Sequence, residues 1–163
     1  AAAIVSLLAG ASPEAVQSAI DEFPGLPHRL ELVRVKDAVR WIDDSKGTNV
    51  GAVVRSLESV EPPVVLLAGG VSKGGSYEPL RVLVRERVRR LVVYGEAAGE
   101  IERALGAETE TVHARTFEDA VRFAAEATRA GDTVLLSPAC ASFDMFRDYA
   151  ERGERFRALV EAL

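Results

Sequence analysis

Apolar positions along the chain change their spacing near residue 28, from helical in the first 23 residues to short runs separated by amphipathic segments beyond Pro27. Ser12-Pro13-Glu14 reads as a helix start, with Ser12 capping and Pro13 at the first helical position. Ala15, Val16, Ala19, Ile20 and Phe23 follow at helical spacing. Residues 1–23 are therefore expected to form two helices. The opening AAAIVSLLAGA is too short to span a bilayer and reads as a buried helix. Pro24-Gly25-Leu26-Pro27 stops helix formation and stiffens the path, as a hinge or linker does. A domain boundary is placed there, with residues 1–24 as a helical tail and 25–163 as the main unit.

LELVRVK and AVRWID alternate apolar and polar positions around Asp37, the pattern of a hairpin. The apolar runs PVVLLAG, RLVVYG and DTVLLS then alternate with helical patterns at about 49–60, 78–88, 97–105, 116–130 and 144–162, with a weaker strand at 109–114. Alternation of this kind builds a parallel sheet covered on both faces. The expected fold is α/β: a Rossmann-like, mostly parallel sheet sandwiched by helices, behind a short helical segment.

Composition narrows what such a domain does. With 163 residues, 48% apolar and 28% charged, the chain has room for one ordinary domain. A formal net charge of -5 argues against a nucleic-acid surface, which needs clustered Lys and Arg. The single cysteine, Cys140, forms no internal disulfide and no thiolate metal site, which makes a reducing, cytoplasmic setting the default. No membrane or targeting segment is visible. The chain begins without Met and inside a helix, so it is expected to be part of a longer polypeptide.

In open α/β sheets, ligands bind beyond the carboxyl ends of the strands, where loops meet helix N-termini. Three loops qualify: Asp43 to Asn49 after AVRWI, Gly69 to Ser76 after VVLLA, and Ser137 to Ser142 after TVLL, ahead of a helix expected from about Phe143. Lys46 and Lys73 bring positive charge, and Thr48, Ser72 and Ser142 bring hydroxyls. Glycines let backbone N–H groups approach a ligand closely. Ser142 is placed to cap the helix after it, leaving neighbouring N–H groups for a carboxylate or phosphate. The shared preference of the three loops is an anion.

Simpler readings stand beside these. Thr48 or Asn49 serves equally as an N-cap. The Gly69 to Ser76 loop lacks both G-x-x-x-x-G-K-[ST] and G-x-G-x-x-G, which removes a Walker A loop and a dinucleotide site. Cys140, between two alanines, reads as a small buried residue rather than a nucleophile. His113 reads as structural or exposed, and Trp41 as core. Asp43 and Asp44 point apart if adjacent in a strand, so one of them is as readily a hairpin-end cap as half of an acid–base pair. The charged residues between 144 and 157 read as the solvated face of the last helix.

The strings GLPHRLE, WIDDSKGTNVGA, LLAGGVSKGGSYEPL and LLSPACASFDMF, in that order, resemble the carboxy-terminal domain of the Mur ligases, and within them the D-glutamate-adding members. The resemblance covers essentially the whole chain, with residues 1–24 matching the last helices of the central ATP-binding domain. It implies ATP-dependent amide synthesis in peptidoglycan assembly: UDP-N-acetylmuramoyl-L-alanine is activated as an acyl phosphate and D-glutamate attacks it. It also implies that Lys46, Thr48, Lys73, Ser142, Phe143 and Tyr149 surround D-glutamate. Arg29 and Asp44, with His28, are implied on the ATP side. Tyr149 departs from the family's usual Phe, and its hydroxyl has no role in the pattern. The glycine-rich ATP loop, the Mg2+ ligands and the uridine-nucleotide pocket belong to preceding domains. No catalytic residue or metal ligand is therefore expected within this chain, which alone should not turn over. A folylpolyglutamate synthase-like glutamate ligase and a non-catalytic module for acidic metabolites are the alternatives.

Overall fold

A computed structural model describes residues 2–163. Two short helices, α1 (Ala2–Leu8) and α2 (Pro13–Glu22), come first. The Ser12 hydroxyl accepts from the Ala15 N–H at 3.2 Å, so the predicted cap and the Pro start are both in place. Burial is where expectation and structure differ. Neither helix buries a single residue. The two pack on each other around an open apolar groove lined by residues such as Ala15, Ala19 and Phe23, and Leu8 remains 84% exposed. The apolar spacing identified the helices correctly, but no other part of the described chain covers their outer faces.

The strands form one six-stranded sheet in the order β1-β2-β6-β3-β4-β5. β1 (Glu31–Lys36) and β2 (Val39–Asp43) are the predicted antiparallel hairpin. Asp37 and Ala38 at its tip have φ of 50° and 59°, the paired left-handed residues of a two-residue turn matched to strand twist. Every other pairing is parallel: β2 with β6 (Thr133–Ala139), β6 with β3 (Val64–Gly69), β3 with β4 (Val88–Tyr94), and β4 with β5 (Glu110–His113).

Because side chains alternate across a strand, β3 feeds two cores. Val64, Leu66 and Ala68 pack with α3 (Val50–Ser59), α4 (Arg81–Arg87) and α5 (Ala98–Leu105). Val65 and Leu67 pack with α6 (Phe117–Ala127) and α7 (Tyr149–Glu161) on the other face, where Trp41 meets Phe156. Burial on both faces is why β3 and β6 read as continuous apolar runs. Among the described residues no helix is long and apolar enough to cross a membrane.

Two expected boundaries shift. The helix placed at 78–88 opens as a 3-10 turn, Glu78–Leu80, before α4. The helix placed at 144–162 starts only at Tyr149, capped by Asp148, whose carboxylate accepts from the Glu151 N–H at 2.9 Å. Ser142 therefore does not cap a helix. Its carbonyl accepts from the N–H groups of Met145 and Phe146 in a turn, and β6 itself continues through Ser137, Pro138 and Ala139.

Candidate functional site

β2, β6 and β3 lie side by side and parallel, so the segments that leave their carboxyl ends share one sheet edge. Backbone bonds stitch these segments together. Ala139 N–H donates to the Gly47 carbonyl at 2.9 Å, and Val71 and Ala141 exchange bonds of 2.9 and 3.0 Å. Side chains complete the seam, with Lys73 donating to the Thr48 hydroxyl at 3.1 Å. Asn49, not Thr48, caps α3, its side chain accepting from the Ala52 N–H at 2.9 Å. That division leaves the Thr48 hydroxyl facing Lys73.

Lys46 donates to the Tyr149 hydroxyl at 2.9 Å, and its ammonium lies 4.5 Å from that ring's centre. The Tyr149 hydroxyl thus holds Lys46 in place. Lys46–Tyr149 and Thr48–Lys73 are two cation–hydroxyl pairs carried by one loop. Ser142 is buried at the same edge, whereas Phe143 stands 73% exposed. A 290 Å³ pocket lies between the start of α3 and the β3 loop, with Asn49, Gly51, Ser72, Lys73 and Ser76 in its wall. A second 290 Å³ cleft on the other side of the Asp43 to Asn49 loop is walled by Arg29, Asp44, Lys46 and Arg55.

The two adjacent acids point apart and are both buried. Asp43 meets His28 Nδ1 at 2.7 Å and accepts from the Ser45 N–H at 2.8 Å. Asp44 accepts from the hydroxyls of Ser56 and Ser137, each at 2.6 Å. Asp43 thus caps the turn after β2, while Asp44 is not a cap. His28 is buried, with its ring engaged by Asp43 and 3.6 Å from Glu154, while its neighbour Arg29 lines the cleft. Burial raises both carboxyls above the usual range, against the hydrogen bonds that lower them.

Such a raised acid contributes stability that is fully present below its unfolded value, 3.8 here, and lost as pH rises through the folded value. Asp44→Asn should therefore gain on the parent as pH climbs from acid to neutral, by about 1.4 kcal/mol for each unit the carboxyl is displaced. Urea melts of both proteins across that range check the sign.

His28, Glu31 and Asp43 also have the spacing of a metal site among the described residues. Their atoms are already committed: Glu31 accepts from the His28 N–H at 3.0 Å and pairs with Arg157 at 2.5 Å. A magnesium ion, which keeps an octahedron of oxygens and waters, does not fit a group that includes an imidazole and whose Glu31 carboxylate is already paired with a guanidinium. Cys140 is fully buried beside the Tyr77 hydroxyl at 3.2 Å, and burial pushes its thiol up, away from nucleophilic use. His113 sits half-exposed on the edge strand.

A family model described as Mur ligase, glutamate ligase domain matches residues 28–140. The chain belongs to that family. It is 55% identical over all 163 residues to proteins of Geotalea daltonii and Pelobacter propionicus, both named UDP-N-acetylmuramoylalanine--D-glutamate ligase. It spans 36% of the length of each of these relatives. Among solved structures, FolC of E. coli with ADP aligns at a TM-score of 0.66 and 17% identity, covering 98% of this chain and 38% of that one. A murein peptide ligase of Psychrobacter arcticus aligns at 0.61 and 14%, covering 99% of this chain and 35% of that one. At those identities the likeness is one of fold.

Two residues essential to the geometry of this Mur ligase domain lie in α7, where charge had suggested a solvated face. Arg152 and Gly153 are both buried, alongside Phe156 and Val160. The signal was present: 149, 152, 153, 156 and 160 fall on one helical stripe. Arg152 donates to the Ser45 hydroxyl and the Ser45 carbonyl, each at 2.9 Å, and to the Cys140 carbonyl at 3.3 and 3.4 Å. One guanidinium thus joins α7 to the segments after β2 and β6.

Gly153 lets α7 lie directly on the His28–Asp43 pair. A Cβ there would overlap His28 Nδ1 and come within 2.7 Å of Asp43 Oδ2. Alanine is favoured over glycine inside a helix by about 1 kcal/mol. Gly153→Ala is nonetheless expected to lose about 2 kcal/mol, because a buried, hydrogen-bonded imidazole cannot give way cheaply. A thermal melt of the variant, read with the backbone shifts of Lys46, checks both the loss and its spread into the loop.

Proposed function

We propose that this domain binds the incoming amino acid in an ATP-dependent ligase that joins D-glutamate to UDP-N-acetylmuramoyl-L-alanine in peptidoglycan synthesis. The observation that carries the reading is the pairing of Lys46 with Tyr149 and Lys73 with Thr48 at one sheet edge. Glutamate has two carboxylates, and two separately anchored ammonium groups suit it better than one. Ser142 and the N–H groups at the start of α3 add donors without adding charge. The names of the relatives support this assignment.

In this reading the domain's own work is binding and orientation. Lys73 and Thr48 hold one carboxylate of D-glutamate and Lys46 with Ser142 the other, which leaves the amine directed out of the sheet edge. Fixing an amine in place replaces a bimolecular encounter by an oriented one, a large part of what such a site contributes to rate. Asp43, through His28, fixes the backbone that carries Arg29. Arg29 and Asp44 serve the ATP side, where Arg29 and Arg55 bring two guanidinium groups to a cleft suited to phosphate oxygens. ATP, when bound, supplies the phosphoryl group that activates the acceptor's carboxylate. The His28–Glu31–Asp43 group is left out of any magnesium role, and the ion's ligands are assigned to the remaining part of the protein. α1 and α2, with no buried residue of their own, are assigned to the ATP-binding unit that precedes residue 25, and Pro24 to Pro27 to the hinge between them. The setting is the cytoplasm.

A substrate panel on the full-length protein tests the assignment. Phosphate release with ATP, D- or L-glutamate, and either the uridine nucleotide or a folate acceptor should require D-glutamate and the nucleotide together. Turnover with L-glutamate and folate would instead favour the folylpolyglutamate synthase reading. Tight binding of a free acid by this chain, with no turnover in any combination, would favour a sensing module.

A further inference from the structure

We infer that Arg55 is a phosphate-binding residue of the Arg29 cleft, freed from an ion pair on its own helix when a polyphosphate enters. The inference rests on the ATP-side assignment above and extends it to a residue outside every motif the chain displays.

Arg29 and Arg55 reach one cleft from the segment before β1 and from the middle of α3, and Lys46 in its wall already donates to Tyr149. The acid in the wall, Asp44, is buried and already accepts from Ser56 and Ser137. It is therefore poorly placed to neutralise the two guanidinium groups. At 290 Å³ the space suits a chain of phosphates rather than a whole nucleotide. Arg55 is held only from its own helix among the described residues. Its side chain is 82% exposed, and its ion pair is with Glu58 at 3.1 Å, one turn along α3. Exposed pairs at this spacing are worth little, so exchanging the Glu58 carboxylate for a phosphate oxygen costs little. A guanidinium also matches two phosphate oxygens at once, which a lysine at this position would not.

Both core layers of the sheet are supplied by residues of this chain, so the chain itself is a usable probe. Inorganic tripolyphosphate is titrated against it at low and moderate ionic strength, with melts to confirm the fold. Arg55→Ala should weaken binding about three- to tenfold, and Arg55→Glu by more, with little change in melting temperature. Glu58→Gln should tighten binding, and the salt dependence should flatten in Arg55→Ala. In the full-length protein, Arg55→Ala should raise the KM for ATP and leave that for D-glutamate unchanged. If Arg29→Ala loses tripolyphosphate while Arg55→Glu binds it as the parent does, Arg55 has no such role. No binding by the parent chain overturns the cleft as well. Binding that depends on Arg55, combined with a full-length protein that does not use ATP, would uphold the cleft and reject the function proposed above.

Discussion

Arg152→Met is expected to lower stability by on the order of 2–4 kcal/mol and to raise the KM for D-glutamate in the full-length protein. Methionine approximates the volume of the arginine stem but donates nothing. The Ser45 carbonyl, the Ser45 hydroxyl and the Cys140 carbonyl would each lose a donor in a fully buried place. Relief of the guanidinium's own desolvation offsets part of that loss, which is why the figure stays below the sum of the broken bonds. The functional effect follows from where the bonds lie. Ser45 precedes Lys46, and Cys140 stands two residues before Ser142. Loosening Arg152 therefore separates Lys46 from Ser142, the pair proposed above to hold one carboxylate of D-glutamate. Arg152→Lys should recover little, because one ammonium cannot span the positions that the fork reaches. A thermal melt paired with a D-glutamate saturation curve checks the claim. A stable variant with unaltered D-glutamate dependence would show that the clamp does not position the loop.

Much of this arrangement was legible from residue order. Continuous apolar runs marked β3 and β6 because both faces of those strands are covered, and Pro13, Ser12 and Asp37 marked their helix start and turn through local backbone chemistry. The rule that ligands gather at strand carboxyl ends led to Lys46, Thr48 and Lys73, and the sheet order puts their strands side by side. What could not be read was long-range partnership. That Asp43, besides capping the turn after β2, also meets His28 depends on where the chain before β1 returns. The fate of Arg152 depended on α7 lying against the loop after β2, more than a hundred residues earlier in the chain. Charge alone then misled, since a buried arginine and a solvated one look alike in sequence. The turn from Ser142 to Asp148 was hidden for a different reason. Its residues fit a helical pattern, and only the Asp148 cap decides where α7 starts.

The larger functional effect is expected at Lys73. It is exposed, held among the described residues only by the Thr48 hydroxyl, and contributes little to the fold, so its loss should be read almost wholly in ligand binding. A charge-assisted hydrogen bond to a carboxylate corresponds to a roughly ten- to hundredfold change in affinity. Lys73→Ala should therefore raise the KM for D-glutamate by that factor without moving the melting temperature. Thr48→Ala should have a smaller effect in the same direction, because it frees the lysine rather than removing it. Tyr149→Phe gives the matching test for Lys46, removing the hydroxyl partner while keeping the ring beneath the ammonium.

The proposed carboxylate site lies where β2, β6 and β3 end. Its most direct test is the steady-state dependence of the full-length Lys73→Ala protein on D-glutamate and, separately, on UDP-N-acetylmuramoyl-L-alanine. A roughly ten- to hundredfold rise in KM for D-glutamate, with the nucleotide's KM unchanged, is the predicted result. Unaltered D-glutamate kinetics, or an equal loss for both substrates, would contradict it.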